Sequence, residues 1–252
     1  MADQNSRVIR VILVVPANNT TMEKEIAAYI PEITELRVAR IPRPHRPLTA
    51  ADLPAYRQST LDTVAPLVKD GADLVIYGCT AAGFLAGAGG DTEAVNKLSD
   101  RVRAPVVSTA ATMGTAMHLS GLTRVDLVSP YVDWKNDILI SFLAAAGVTV
   151  AGNSSFSTQN PTELGEITAE QVLKKSLETA RDDSQGLFIA CVQLPTIDVI
   201  PLLTKQLNRP VWSAVRSAAW ASLKALSLPA ARLVPDCPPN NRADAARRVA
   251  AA

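Results

Sequence analysis

Two cysteines, Cys79 and Cys191, close two short apolar runs, Leu74-Val75-Ile76-Tyr77-Gly78 and Leu187-Phe188-Ile189-Ala190. A thiol does chemistry as a thiolate nucleophile or as a proton donor and acceptor. Because a free thiol titrates near pH 8.5, it needs helix-terminus amides or a cation beside it to ionise at neutral pH. Two thiols presented to one small substrate can add to an electron-poor double bond, exchange an acidic α-proton between opposite faces, or protonate an enolate left by loss of carbon dioxide. Free cysteine is also an ordinary small core residue, so the pairing must be argued from the elements that carry it.

Each run has four or five consecutive apolar residues rich in β-branched and aromatic types, the pattern of a strand buried on both faces, with the thiol at its carboxyl end. Open parallel sheets bind ligands at that end. The surroundings repeat. Cys79 follows Pro16 by 63 positions and Cys191 follows Pro130 by 61, each proline closing an apolar run. After each cysteine comes a matching unit, Asp100-Arg101-Val102-Arg103-Ala104-Pro105-Val106-Val107-Ser108 and Gln206-Leu207-Asn208-Arg209-Pro210-Val211-Trp212-Ser213. A period of roughly 110 residues is too long for a solenoid and suits two similar α/β lobes. The expected division is a first lobe of residues 1–115 with about 217–237, a second of 116–216, and a tail, 238–252.

The 252 residues are 48% hydrophobic with 25 basic against 24 acidic side chains. A net charge of +1 gives no electrostatic footprint for nucleic acid or anionic membrane and favours small-molecule chemistry. Three cysteines without paired spacing argue for a reducing compartment. With no basic-then-apolar leader and no run approaching ~18 apolar residues, the expected location is the cytoplasm. No glycine-rich phosphate loop and no clustered metal-ligand spacing is present, so cofactor-free chemistry is the simplest inference.

In chain order, Val8–Val15 reads as a strand and Pro16-Ala17-Asn18-Asn19-Thr20 as a polar turn whose Asn19 can cap a helix or help cradle a carboxylate. After a strand at Leu36–Ile41, the prolines of Pro42-Arg43-Pro44-His45-Arg46-Pro47 force an extended basic loop, which offers His45 and Arg46 as candidate substrate contacts. Thr49–Lys69 reads as one helix with a Thr49/Asp52 capping box, Ala86–Gly90 as a loose loop, Thr92–Val102 as a helix, and His118 as a packing or capping residue. The second lobe opens on a strand at Arg124–Val128, with Ser129-Pro130-Tyr131 at its end. The segment from Gly152 to Pro161 reads as a long functional loop, Pro195 as the first turn of a helix, and Cys237 as a bystander.

The set Pro16-x-x-Asn19-Thr20, Cys79-Thr80, Ser129-Pro130-Tyr131 and Cys191, in two similar halves, resembles the aspartate/glutamate racemase superfamily, and most closely its maleate cis-trans isomerase branch, which sits beside the arylmalonate decarboxylases. The resemblance spans the chain to about residue 230. It implies an α/β fold of two Rossmann-like lobes with parallel sheets related by a pseudo-twofold axis, an active site in the cleft between them, no cofactor, and a homodimer. It also implies Cys79 as nucleophile, Cys191 as proton donor and acceptor, and Pro16, Asn19, Thr80, Tyr131, Asn160 and Val192 around a small carboxylate substrate.

Two departures bear on the substrate. Cys191-Val192-Gln193 stands where that branch has Cys-Thr-Asn, and Ala214-Val215-Arg216 where it has Ser-Asn-Gln. Losing a polar anchor beside Cys191 suggests a substrate whose far end is less polar or longer than maleate, with Arg216 or Arg46 meeting a more distant carboxylate. Maleate isomerisation leads. Desulfuration or hydrolysis of a thiohydantoin or hydantoin propionate, racemisation, and malonate decarboxylation are alternatives, and a small-carboxylate binding protein is the alternative of another class.

Overall fold

The computed structural model describes residues 8–235, so Cys237 and the tail 238–252 lie outside the described residues. The first sheet has strands β1 (Arg10–Pro16), β2 (Glu35–Ile41), β3 (Leu74–Tyr77) and β4 (Val106–Ser108), all parallel, in the order β2-β1-β3-β4. The second has β5 (Arg124–Ser129), β6 (Thr149–Ser155), β7 (Gly186–Ile189) and β8 (Val211–Ser213), also parallel, in the order β6-β5-β7-β8. Both sheets therefore have one topology, with β1 matching β5 and β3 matching β7.

The unbroken apolar run of β1 follows from burial on both faces. Val11, Leu13 and Val15 join Leu74 and Ile76 of β3 in the core continuous with the second sheet. Ile12, Val14, Val75 and Tyr77 point to the other face. That face is covered by Leu53, Tyr56 and Val64 of α2 (Leu53–Val64) and by Ala82, Leu98 and Val102 of α3 (Thr80–Val102).

The lobes meet through the helices that follow their last strands, α4 (Thr109–Leu119) and α9 (Ala214–Ala225). Small buried residues, Ala110 and Ala116 on one and Ala214, Ala218 and Ala219 on the other, line this junction. The matching serines that end β4 and β8 do the same work, because Ser108 and Ser213 each cap the following helix with a side-chain oxygen. Helix α9 also packs on β3 and β4, and on α1 (Thr21–Tyr29). In the second lobe α5 (Asp133–Ala145), α6 (Pro161–Gly165), α7 (Ala169–Thr179) and α8 (Val199–Leu207) complete the described helices. None is long and apolar enough to cross a membrane.

Several local expectations are corrected. Ala86–Gly90 is not a loose loop but the kink within α3, where two helical stretches meet at Gly87 with φ +69°. The segment read as one helix from Thr49 is a short 3-10 turn with the Thr49/Asp52 capping box, then α2, then a second 3-10 turn at Ala65–Val68. Strand β6 continues to Ser155, so the loop before α6 is shorter than expected, since polar Asn153 and Ser154 still pair with β5. Pro195 precedes its helix, which starts at Val199 after a turn.

Candidate active site

The two cysteines occupy equivalent places. Beyond β3 the Gly78 amide donates to Val14 of β1 at 2.7 Å, and beyond β7 the Ala190 amide donates to Val128 of β5 at 2.8 Å. The next residue is the cysteine in both cases. Gly78 is required there: a Cβ would lie 2.5 Å from the Met22 sulfur and 2.9 Å from the Val14 carbonyl oxygen. Both thiols are free, 6% exposed, and on the wall of one cavity of about 50 Å³.

Their settings differ. Cys79 is the N-cap of α3, with the free amides of the first turn ahead of it. Cys191 has no helix directly after it: it lies eight residues before α8, inside a turn, at φ +93°. A side chain rarely adopts that backbone conformation and it costs on the order of 1–3 kcal/mol. Burial pushes the Cys191 thiol above its ordinary titration range, opposed by the Gln193 amide donating to Sγ at 3.5 Å and by the Tyr131 hydroxyl beside it. The charge of Cys79 raises it further, so the two thiols are close enough to influence one another.

The turn that carries Cys191 is held from the first lobe. Asn19 donates through Nδ2 to the Val192 carbonyl at 3.0 Å, and its Oδ1 accepts the Met22 amide at 3.0 Å, capping α1. One turn further along α1, the buried Glu25 carboxylate accepts the Thr196 amide at 2.5 Å, the Ile197 amide at 3.0 Å and the Thr196 hydroxyl at 2.8 Å. Desolvation raises the Glu25 pKa and these donors lower it, with burial the larger effect.

Tyr131 follows β5, its backbone fixed by Asn136, whose Nδ2 donates to the Tyr131 carbonyl at 2.8 Å. Its ring meets Phe84 of α3 edge-on at 5.3 Å. The Tyr131 hydroxyl, which adjoins Cys191 and Thr80, is buried with no well-formed hydrogen bond, and so are Oγ1 of Thr80, Oε1 of Gln193 and Oδ1 of Asn18. All four residues line the cavity. Buried polar atoms are nearly always satisfied, so unpartnered polar atoms on four residues of one cavity wall favour a polar ligand there.

Of the residues singled out above, Pro16, Asn19, Cys79, Thr80, Tyr131, Asn160, Cys191 and Val192 line this cavity. The Asn160 amide is already committed: Oδ1 caps α6 by accepting the Thr162 and Glu163 amides at 3.0 Å each, and Nδ2 donates to Glu163 at 2.8 Å. Three other residues are elsewhere. Arg216 is turned behind β8, where it donates to the Leu233 and Val211 carbonyls and stacks 5.4 Å over Trp212. Arg46 is paired with Asp52 at 2.7 and 2.8 Å and exposed, and His45 is exposed on the bend beside it.

The cations that do line the cavity are Arg43 and Lys135, neither anticipated. Arg43 precedes the bend that turns His45 and Arg46 to solvent. Lys135 is 3% exposed, and burial together with the neighbouring Arg43 pushes its pKa down to about 8. Its position was legible as a helical stripe, because Lys135, Leu139 and Leu143 recur every four residues and are all buried. Tyr56 of α2 was also missed. Its buried hydroxyl adjoins Cys79.

A family model described as Amdase, arylmalonate decarboxylase, matches residues 49–233. A maleate isomerase of Geobacillus stearothermophilus is 27% identical over 234 residues, spanning 87% of this chain and 92% of its own. An arylmalonate decarboxylase of Bordetella bronchiseptica is 25% identical over 173 residues, 68% of this chain and 72% of its own. Among solved structures, a Nocardia farcinica maleate cis-trans isomerase superposes with a TM-score of 0.82 at 23% identity, covering 90% of this chain and 98% of that one. That structure is a cysteine-to-serine mutant with a covalently bound succinylcysteine intermediate.

Proposed function

The chain belongs to the arylmalonate decarboxylase family, and from that membership we propose that Cys79 and Cys191 act as nucleophile and proton carrier on a small planar carboxylate, with cis–trans isomerisation of maleate as the leading reaction. The family makes it a cysteine-based enzyme of the isomerase or lyase type that works on small carboxylates without a cofactor. The observation that carries the finer reading is the pair of free thiols at equivalent strand ends on one cavity wall.

The Cys79 thiolate adds to one alkene carbon, and as the C–S bond forms the π pair moves to the adjacent carbon, which takes the Cys191 proton. Rotation about the new single bond follows. Cys191 then takes the proton back, the double bond re-forms and the C–S bond breaks, releasing the trans acid. A thiol whose burial favours its neutral form suits the donor role given to Cys191. The unpartnered Thr80 and Tyr131 hydroxyls, and the remaining Asn19 amide proton, suit a carboxylate.

Fumarate formation from maleate tests this reading. The wild type is expected to turn over, and Cys79→Ser and Cys191→Ser each to lose at least a thousandfold in kcat while keeping the far-ultraviolet circular dichroism of the wild type. Wild-type turnover no faster than the buffer reaction removes maleate as substrate. Undiminished turnover in either variant removes the two-thiol mechanism.

A further inference from the structure

We propose that the cavity contains a second anion subsite formed by Lys135 and Arg43, and that the substrate carries an acid group remote from the carbon that Cys79 attacks. This rests on the thiol-site reading above and specifies the substrate class for it.

Lys135 is a buried cation without a counter-ion. Among the described residues its ammonium makes no ion pair with a carboxylate; the Trp134 ring at 5.2 Å and the Tyr131 ring at 5.7 Å lie against it, and Cys79 and Cys191 act on its charge ahead of any carboxylate. Arg43 makes no ion pair either. Its Nε is buried without a partner, and its one hydrogen bond is a long 3.4 Å contact with the Arg46 carbonyl. No Asp or Glu lines the cavity. The carboxylate that acts on Lys135, Asp52, does so weakly and is already engaged by Arg46.

Lys135 is desolvated and has the like charge of half-exposed Arg43 beside it, an arrangement that something of opposite sign would relieve, because an unpaired buried charge costs several kcal/mol. Here the two cations line the same cavity as the polar residues Asn18, Thr80, Tyr131 and Gln193, so a counter-charge has a place to sit. A carboxylate bridging an ammonium and a guanidinium gains charge-assisted hydrogen bonds from both, with the guanidinium supplying a planar donor fork.

The test measures protection of Cys79 from iodoacetamide, read by peptide mass spectrometry, with three pairs of unreactive acids: butanoate and succinate, pentanoate and glutarate, hexanoate and adipate. Within a pair the chain length is equal and only the far carboxylate differs. At least one diacid is expected to protect at a tenfold or more lower concentration than its monoacid. In Lys135→Met and in Arg43→Gln that advantage should shrink below about threefold, with monoacid protection unchanged. Arg43 lies on a half-exposed loop, so its variant folds whatever the buried substitution does. Equal protection within every pair, or an advantage that survives both substitutions, overturns the subsite while leaving the thiol site standing. Slower Cys79 alkylation in Lys135→Met with the diacid advantage intact also overturns it, because the lysine would then serve the thiolate alone. Protection by no acid at all overturns the thiol site and the subsite together.

Discussion

Asn19 ties the two lobes together at the reacting end of the cavity: its amide nitrogen donates across the cleft to the carbonyl of Val192, the residue after Cys191, at 3.0 Å, while its oxygen caps α1. Asn19→Ala removes the cap and a buried interlobe hydrogen bond, for a loss of about 2 kcal/mol. Freed Val192 lets Cys191 drift, so kcat should fall at least tenfold at temperatures where the variant remains fully folded. Urea unfolding beside steady-state kinetics separates the two effects, and a kcat that merely tracks the folded fraction would remove the positioning role.

Glu25 holds the far end of the same turn. Glu25→Ala strands the buried Thr196 amide and the part-buried Ile197 amide and empties a buried site, and is expected to destabilise by about 3 kcal/mol. Glu25→Gln should stay within about 1 kcal/mol of wild type, since its carbonyl still accepts both amides and the Thr196 hydroxyl can turn toward Ser213, 3.0 Å away. The Glu25 pKa is raised in the fold, so its protonated form favours folding. That contribution is fully present below pH 4.5 and is lost as pH rises through the folded pKa. Unfolding free energies measured across that window should show this slope in the wild type and not in Glu25→Gln.

Lys135 is kept charged at a cost in stability. Its pKa is about 8 in the fold against 10.5 for an unperturbed lysine. At pH 7, Lys135→Met should therefore be more stable than wild type by about 2 kcal/mol. Between pH 8 and 10.5 the unfolded chain holds more protons at this group, so wild-type stability rises with pH and the gap to the variant closes. Arg43, Cys79, Cys191 and Asp52 act on this ammonium and remain in both proteins. Urea midpoints at pH 7 and 9.5 provide the comparison. A variant less stable than wild type at pH 7 would mean that the lysine supports the fold.

The backbone at Cys191, with φ +93°, is one that glycine adopts freely. Cys191→Gly should hold within about 1 kcal/mol of wild-type stability, with relief of strain offsetting the lost side chain, whereas Cys191→Val should lose more than that. Thermal unfolding of both variants checks the order. Valine tolerated as well as glycine would show that the turn relaxes without strain.

Much of the fold was legible because it follows from local chemistry. The runs around Val11, Leu74, Val125 and Leu187 are strands since nothing else buries four β-rich apolar residues on two faces, and their repetition gives two sheets of one strand order. The positions of both thiols beyond β3 and β7 follow from the same runs. What escaped depends on neighbours distant in sequence. Lys135 carries a local signal of burial in its stripe with Leu139 and Leu143, but its place beside Arg43 and the two thiols does not follow from that stripe. Arg43 and Arg46 are alike in composition, and only the bend at His45 sends one to the cavity and the other to Asp52. The amides of the Pro195 turn are met by Glu25, 171 residues before Thr196, a contact that no local pattern announces.

The most direct measurement is intact and peptide mass spectrometry of Cys191→Ser after incubation with maleate. With no second thiol to take the proton back, addition of the Cys79 thiolate and protonation of the adjacent carbon by water are expected to leave a stable adduct heavier by one maleic acid, located on Cys79. Addition at another residue, or a variant that turns maleate over freely with no adduct at Cys79, would contradict the assignment of that sulfur as the nucleophile.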